Sequence, residues 1–169
     1  MKDLKKLFKE CKEELDVIGV DYGKINSVDV NNEFTKTWGM CKYKTYSSNW
    51  KTCVYNIEIS AKLLQDDVPT KSAKNVLIHE ILHTCEDCMC HTGEWKRLAN
   101  LVNDCYSCYN IKRCSSNEEY GVEINHDDFK YELQCTECGH IFGHHRMCRS
   151  IQHPEYYKCN CGGKLKRIK

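Results

Sequence analysis

The chain has 169 residues, of which 29% are charged and 41% apolar, and a net charge of +1. That length allows one ordinary domain and a small second one, and the charge balance excludes a polycation over the whole chain. No apolar run approaches membrane-spanning length and no secretory apolar stretch follows Met1, so no membrane partner and a cytoplasmic location are expected.

Residues 2–18 set Leu4, Leu7, Phe8, Cys11, Leu15 and Ile18 at helical spacing, with a charged outer face. Gly19 and Gly23 end this helix. From 25 to 60 the pattern changes to alternation. Val28 and Val30, then Trp38 to Tyr46, then Val54, Ile57 and Ile59 predict three strands, with Ser47-Ser48-Asn49 as a turn. Trp38 and Trp50 read as core or sheet-face residues. A short helical turn is expected over 61–65. Pro69-Thr70 punctuates the chain before the next helix, with Thr70 or Ser72 as its N-cap.

That helix carries Val76, Leu77, Ile78, Ile81 and Leu82 on its apolar side. It also carries His79-Glu80-Ile81-Leu82-His83. A helix turns once per about 3.6 residues, so His79 and His83 stand one above the other on one face. Two neutral imidazoles so placed can share a zinc ion without cancelling its charge. Glu80 beside them is a carboxylate able to take a proton from a metal-bound water, as general base. A catalytic zinc usually takes three protein ligands and keeps one position open. His91, eight residues past His83, is the leading third candidate, with Glu94 and Glu86 as rivals. Trp95, Leu98, Ala99 and Val102 then mark a third helix, and the polar residues 112–128 read as a connection.

The charge is unevenly spread. Residues 130–169 hold eight Lys/Arg against three Asp/Glu, or +5, which leaves −4 for residues 1–129. Fourteen cysteines are many for this length. With no export signal, and with several of them paired beside histidines and glycines, they read as thiolate ligands and idle thiols in a reducing compartment. Cys135-x-x-Cys138-Gly139 has the form of a zinc knuckle, in which glycine relieves the turn that brings two thiolates to one metal. Its partner pair is the shorter Cys159-Asn160-Cys161. Cys135, Cys138, Cys159 and Cys161 are the favoured set, and Cys148, His140, His144 or His145 are possible replacements. Cys85-x-x-Cys88 and Cys105-x-x-Cys108, sixteen residues apart, also fit a zinc-site template and stay open as a further metal site.

His79-Glu80-x-x-His83 followed by His91-x-Gly93-Glu94-Trp95-Lys96 resembles the SprT-like zinc metalloprotease family, relatives of the Spartan DNA–protein crosslink proteases. Thr37-Trp38-Gly39-Met40-Cys41 and Ile57-Glu58-Ile59-Ser60 resemble that family's short strands ahead of the catalytic helix. The Cys135 and Cys159 pairs resemble the zinc ribbon that follows in bacterial members. The resemblance implies His79, His83 and His91 as ligands of one catalytic Zn2+, Glu80 as general base, and a zincin-like metalloprotease. Together with the element pattern it predicts an α+β fold. A small sheet packs on the catalytic helix over residues 1–125, and a ribbon with a second, structural Zn2+ follows over 126–169. The implied function is a zinc-dependent endopeptidase acting on DNA-associated or DNA-crosslinked proteins. Lys164, Lys166, Arg167, Lys169, Arg146 and Arg149, with Phe142, Tyr156 and Tyr157, would give the ribbon non-sequence-specific binding to single-stranded DNA. The alternative is a non-catalytic, zinc-containing nucleic-acid-binding protein. A metal or redox sensor built on the cysteines leaves Glu80 unexplained.

Overall fold

The structure is a computed structural model, and it describes residues 1–34, 37–115, 119–122 and 129–169. Helix α1 (Leu4–Val17) begins at Asp3, whose carboxylate accepts from the Lys6 N–H at 3.1 Å. It buries Leu4, Leu7, Cys11 and Leu15, the face its periodicity predicts. Strands β1 (Lys24–Asn31), β2 (Gly39–Thr45) and β3 (Val54–Ser60) form a sheet in the order β1-β3-β2. β3 runs parallel to β1 and antiparallel to β2. As the central strand it alternates most cleanly, burying Tyr55, Ile57 and Ile59. Asn49 caps a short 3-10 turn, Trp50–Thr52, that joins β2 to β3.

Helix α2 (Thr70–Leu82) buries Ser72, Ala73, Val76, Leu77, Ile78, Glu80, Ile81 and Leu82. A helix buried on nearly all sides belongs to the middle of a unit rather than its surface. Leu77, Ile78, Ile81 and Leu82 have no exposed surface, and each such side chain contributes about 1.5–3 kcal/mol by leaving water. Neither Thr70 nor Ser72, the expected candidates, is the N-cap. Pro69 occupies the cap position and makes no side-chain cap bond. Ser72 instead donates its hydroxyl to the Tyr120 carbonyl at 2.9 Å, inside the unit. Helix α3 (Gly93–Cys105) buries Trp95, Leu98, Ala99 and Val102, as its spacing predicts.

Lys74 joins α1 to α2 by ion pairs to Glu14 at 2.7 Å and Glu10 at 3.1 Å. Glu14 also accepts from the Tyr109 hydroxyl, and its backbone carbonyl accepts from Tyr106 at 2.9 Å. The chain after α3 is therefore tied back onto both helices.

The chain divides into two compact units, Met1–Glu123 and Ile124–Lys169. The boundary expected between 125 and 126 lies outside the described residues. The second unit has its own sheet, order β5-β4-β6, from β4 (Tyr131–Cys135), β5 (Ile141–His144) and β6 (Leu165–Arg167). Both pairings are antiparallel. A single helical turn, α4 (Arg149–Gln152), places Ile151 in this small core, where Leu133 is also buried. The architecture is mixed α and β with two small sheets. Among the described residues no helix is long and apolar enough to cross a membrane.

Candidate metal centres

His79 stands in the last turn of α2, and His83 caps the helix. The chain then turns back, so that His91 meets them from the loop before α3. The three Nε2 atoms converge. They lie 3.2 Å apart for His79 and His83, 3.1 Å for His83 and His91, and 2.9 Å for His79 and His91. A tetrahedral ion with metal–nitrogen distances of about 2.0–2.1 Å sets its nitrogens about 3.3–3.4 Å apart. The triangle closes to that spacing within a few tenths of an ångström, so the donor set fits zinc.

The outer nitrogens hold the rings in place. His79 Nδ1 bonds the Lys112 carbonyl at 3.1 Å, and His83 Nδ1 bonds the Cys88 carbonyl at 2.7 Å. A carbonyl only accepts, so both rings carry the proton on Nδ1 and turn the Nε2 lone pair inward. Trp95 of α3 backs all three, stacked with His83 at 5.7 Å and edge-on to His79 and His91 at 4.8 and 4.7 Å. Burial, and next the charges of His83 and His91, push His79 down to about 3. Burial likewise lowers His83 and His91, and the charge of Arg113 adds to the effect on His91. Neutral imidazole, the ligating form, is thus the resting state.

Glu80 is 6% exposed, and burial pushes its carboxyl up to about 8, against the Cys41 backbone N–H that donates to it. Gly39 makes room for it. A Cβ at Gly39 would sit 2.6 Å from Glu80 Oε1 and 2.6 Å from Val76 Cγ1. The rival ligands stand elsewhere. Glu94 is held by Arg97 at 2.6 and 2.8 Å, and Glu86 lines a different depression with Asp21 and Asp87.

A cleft of about 510 Å³ opens over this constellation. Trp38, Gly39 and Cys41 line it from the β2 side, and residues 112–115 and Tyr120 line it from the chain after α3. That second wall is fixed. Asn103 of α3 clamps Ile111 twice, donating Nδ2 to its carbonyl at 2.9 Å and accepting its N–H at 2.6 Å. Asn75 of α2 accepts the Asn110 N–H at 3.2 Å, and the Tyr120 ring meets Trp38 edge-on at 5.5 Å. Read as a polar connection, residues 112–115 and Tyr120 prove to be part of the site. Polar loop composition carries no signal of this. The two buried residues Tyr109 and Ile111 just ahead of them are the nearest thing to one.

In the second unit Cys135, Cys138, Cys159 and Cys161 converge, all sulfurs within 4.8 Å of one another. Cys135 lies 3.5 Å from Cys161, and Cys138 lies 3.6 Å from Cys159. Metal–sulfur distances of about 2.3 Å set tetrahedral sulfurs about 3.8 Å apart, so this set also fits zinc. Gly139 and Gly162 have φ of 72° and 88°, left-handed turns that bring each pair inward. A Cβ at Gly163 would press on the Cys135 sulfur at 2.5 Å. The Cys138 and then the Glu137 backbone N–H draw the Cys135 thiol down, toward the thiolate, whereas Cys138, despite the His140 backbone N–H, is pushed up by the sulfurs around it. Cys148 stands apart, 3.5 Å from His144 Nδ1 and 3.1 Å from Ser150 Oγ. The further metal site is not formed. Cys85 and Cys88 are buried, Cys105 and Cys108 are exposed, and among the described residues only the two sets above converge.

The family model described as the SprT-like family matches residues 4–115, which takes in the three histidines, Glu80 and both cleft walls up to Ser115. No curated protein matches the chain.

Proposed function

We propose that this chain, which belongs to the SprT-like family, is a zinc-dependent endopeptidase acting on DNA-associated or DNA-crosslinked proteins. His79, His83 and His91 would hold one zinc, and Cys135, Cys138, Cys159 and Cys161 a second, structural one. The observation that carries the reading is a buried carboxylate, Glu80, beside three convergent imidazole nitrogens in an open cleft. A purely structural ion needs no such carboxylate.

Bound at the histidines, zinc would supply Lewis acidity to a water and to a peptide carbonyl. The chain's own residues do the rest. Glu80 takes the proton that the water loses as its oxygen bonds to the carbonyl carbon, then returns it to the leaving amine nitrogen. Its raised affinity for a proton suits the second task, and a nearby cation favours the ionised form that the first requires. Lys112 and Cys88 orient the imidazoles through their carbonyls.

The test is Glu80→Gln, which keeps the side chain's size and removes the base. Zinc content should be retained, while cleavage of casein falls by roughly 10²-fold or more. Unchanged cleavage would reject this mechanism. An inactive wild-type protein that still binds DNA would favour the non-catalytic reading.

DNA as partner is supported by the charge of the second unit. Arg146, Arg149, Lys164, Lys166, Arg167 and Lys169 are all exposed on it. Tyr156 and Tyr157 are exposed too, and each has a face on which a base can stack, whereas Phe142 is half-buried against His140. Among the described residues of that unit no helix is long enough to read a groove, so binding would track phosphates and exposed bases without sequence preference. Replacing Lys164, Lys166 and Arg167 by Gln in the full chain should weaken binding to a single-stranded oligonucleotide and flatten its salt dependence. Equal binding by the variant would remove the ribbon from this role.

A further inference from the structure

The proposed reaction builds negative charge on the oxygen of the attacked peptide carbonyl. When water adds, the carbon–oxygen π pair moves onto that oxygen. When the carbon–nitrogen bond breaks, the pair returns. A cleft suited to this step benefits from a fixed positive group at that oxygen. Glu80 cannot serve, being an anion or a proton carrier. The histidines are committed to the metal.

Among the described residues two cationic side chains belong to the cleft lining, Lys112 and Arg113. The Lys112 ammonium is paired with Glu119. Arg113 is the next residue, on a backbone that is held just ahead of it. Before it, Asn103 clamps Ile111 and the Lys112 carbonyl bonds His79 Nδ1. After it, Ser115 and Tyr120 continue the same wall. Its own side chain is exposed. The site thus carries its base on the β2 side, at Gly39 and Cys41, and Arg113 on the wall from the chain after α3.

We infer that Arg113 is a further catalytic residue of this site, whose guanidinium takes up the charge that develops on the peptide carbonyl oxygen. The inference rests on the endopeptidase reading above. Guanidinium suits the role because it stays charged at every working pH and has no proton to exchange with Glu80. Its planar fork can give an anionic oxygen two N–H bonds. Tyr120 is the competing donor, and its ring is engaged by Trp38.

The experiment compares full-length, zinc-loaded wild type with Arg113→Ala, Arg113→Lys and Tyr120→Phe. Arg113 is exposed, so its replacement leaves the core intact. On a casein-derived peptide, Arg113→Ala should lower kcat by about 10²–10³-fold with KM changed less than about two-fold. Arg113→Lys should keep part of the rate, and millimolar guanidinium should restore part of it to Arg113→Ala. Calorimetry supplies a readout besides activity. An N-phosphoryl dipeptide, a stable tetrahedral anion, should bind Arg113→Ala at least ten-fold more weakly, while zinc content stays equal. Unchanged kcat and phosphoryl affinity, a change in KM alone, or a loss carried by Tyr120→Phe instead would each overturn the assignment. Failure of the endopeptidase reading looks different, because wild type itself then cleaves nothing.

Discussion

Gly39 has no side chain, yet it decides whether Glu80 fits. A methyl group there would fall 2.6 Å from both the carboxylate and Val76. Overpacking of this kind costs about 1–3 kcal/mol, because neighbours in a filled interior have nowhere to go. Gly39→Ala should lower the melting temperature and also displace the base, so cleavage should fall more than stability alone explains. A variant as stable and active as wild type would show that Glu80 relaxes freely. The histidines set a pH dependence. An imidazole whose folded pKa lies below its ordinary value of 6.5 binds fewer protons folded than unfolded. Its contribution to stability is complete above 6.5 and is lost as the pH falls toward the folded value, about 3 for His79. Protons also compete with the metal for the same nitrogens, with the same sign. Zinc affinity measured by competition with a chelator should therefore hold below pH 6.5 and weaken only as the pH falls toward the lowered folded values, about 3 for His79. A loss of affinity already centred on the ordinary imidazole value of 6.5 would show that these rings titrate as free ones. At this scale the sequence was informative wherever spacing alone fixes geometry. His79 and His83 lie on one helix face whatever surrounds them, and Cys135 and Cys138 close one turn. Gly39 was silent, because its neighbours come from another element forty residues away.

Between elements, the decisive contacts tie the chain after α3 onto α2 and α3. Asn103 satisfies both backbone groups of Ile111, which is 4% exposed. Asn103→Ala would leave a partly buried N–H and C=O without partners, at about 1–3 kcal/mol for each group that water cannot reach. We expect lower stability and also weaker zinc binding, since the next carbonyl along orients His79. Asn103→Asp, which keeps the accepting oxygen, should fall between. If Asn103→Ala lowered stability with zinc affinity unchanged, the wall would be structural only. The helices and strands themselves were legible. Leu4, Leu7, Cys11 and Leu15 repeat at the helical period, and Ile57 and Ile59 at the strand period. The wall has no period, so nothing in its sequence separates it from a linker. The Cys85 and Cys105 pairs, left open as a metal site, illustrate the converse. Their spacing matched a template, but the first pair is buried beyond the end of α2 and the second is exposed at the last residue of α3 and just past it.

At the scale of the whole molecule, each unit has its own sheet and its own candidate metal centre. The second unit is small, and among its described residues Leu133 and Ile151 are the fully buried large side chains. A core of that size does not stabilise a fold alone, so the ion held by the four cysteines would supply most of the remainder. Cys159→Ser or a strong chelator should unfold residues 129–169 while α1–α3 keep their helical signal. Amide exchange resolved along the chain measures this, and uniform protection after chelation would remove the need for the second zinc.

The pairing of β3 with β1 on one side and β2 on the other also sets an order of events during folding. Tyr43 and Tyr55 pair across twelve residues, whereas Ile25 and Tyr55 pair across thirty. Loop closure makes the longer contact costlier by about 0.8 kcal/mol, before any contact repays it. The β2–β3 hairpin is therefore expected to form first, with β1 docking onto an edge already made. Ile57→Val, in the hairpin, should slow refolding, whereas Val28→Ala, in β1, should chiefly speed unfolding. Stopped-flow chevrons of the two variants measure this order, and equal effects on both rates would mean that the three strands come together at once.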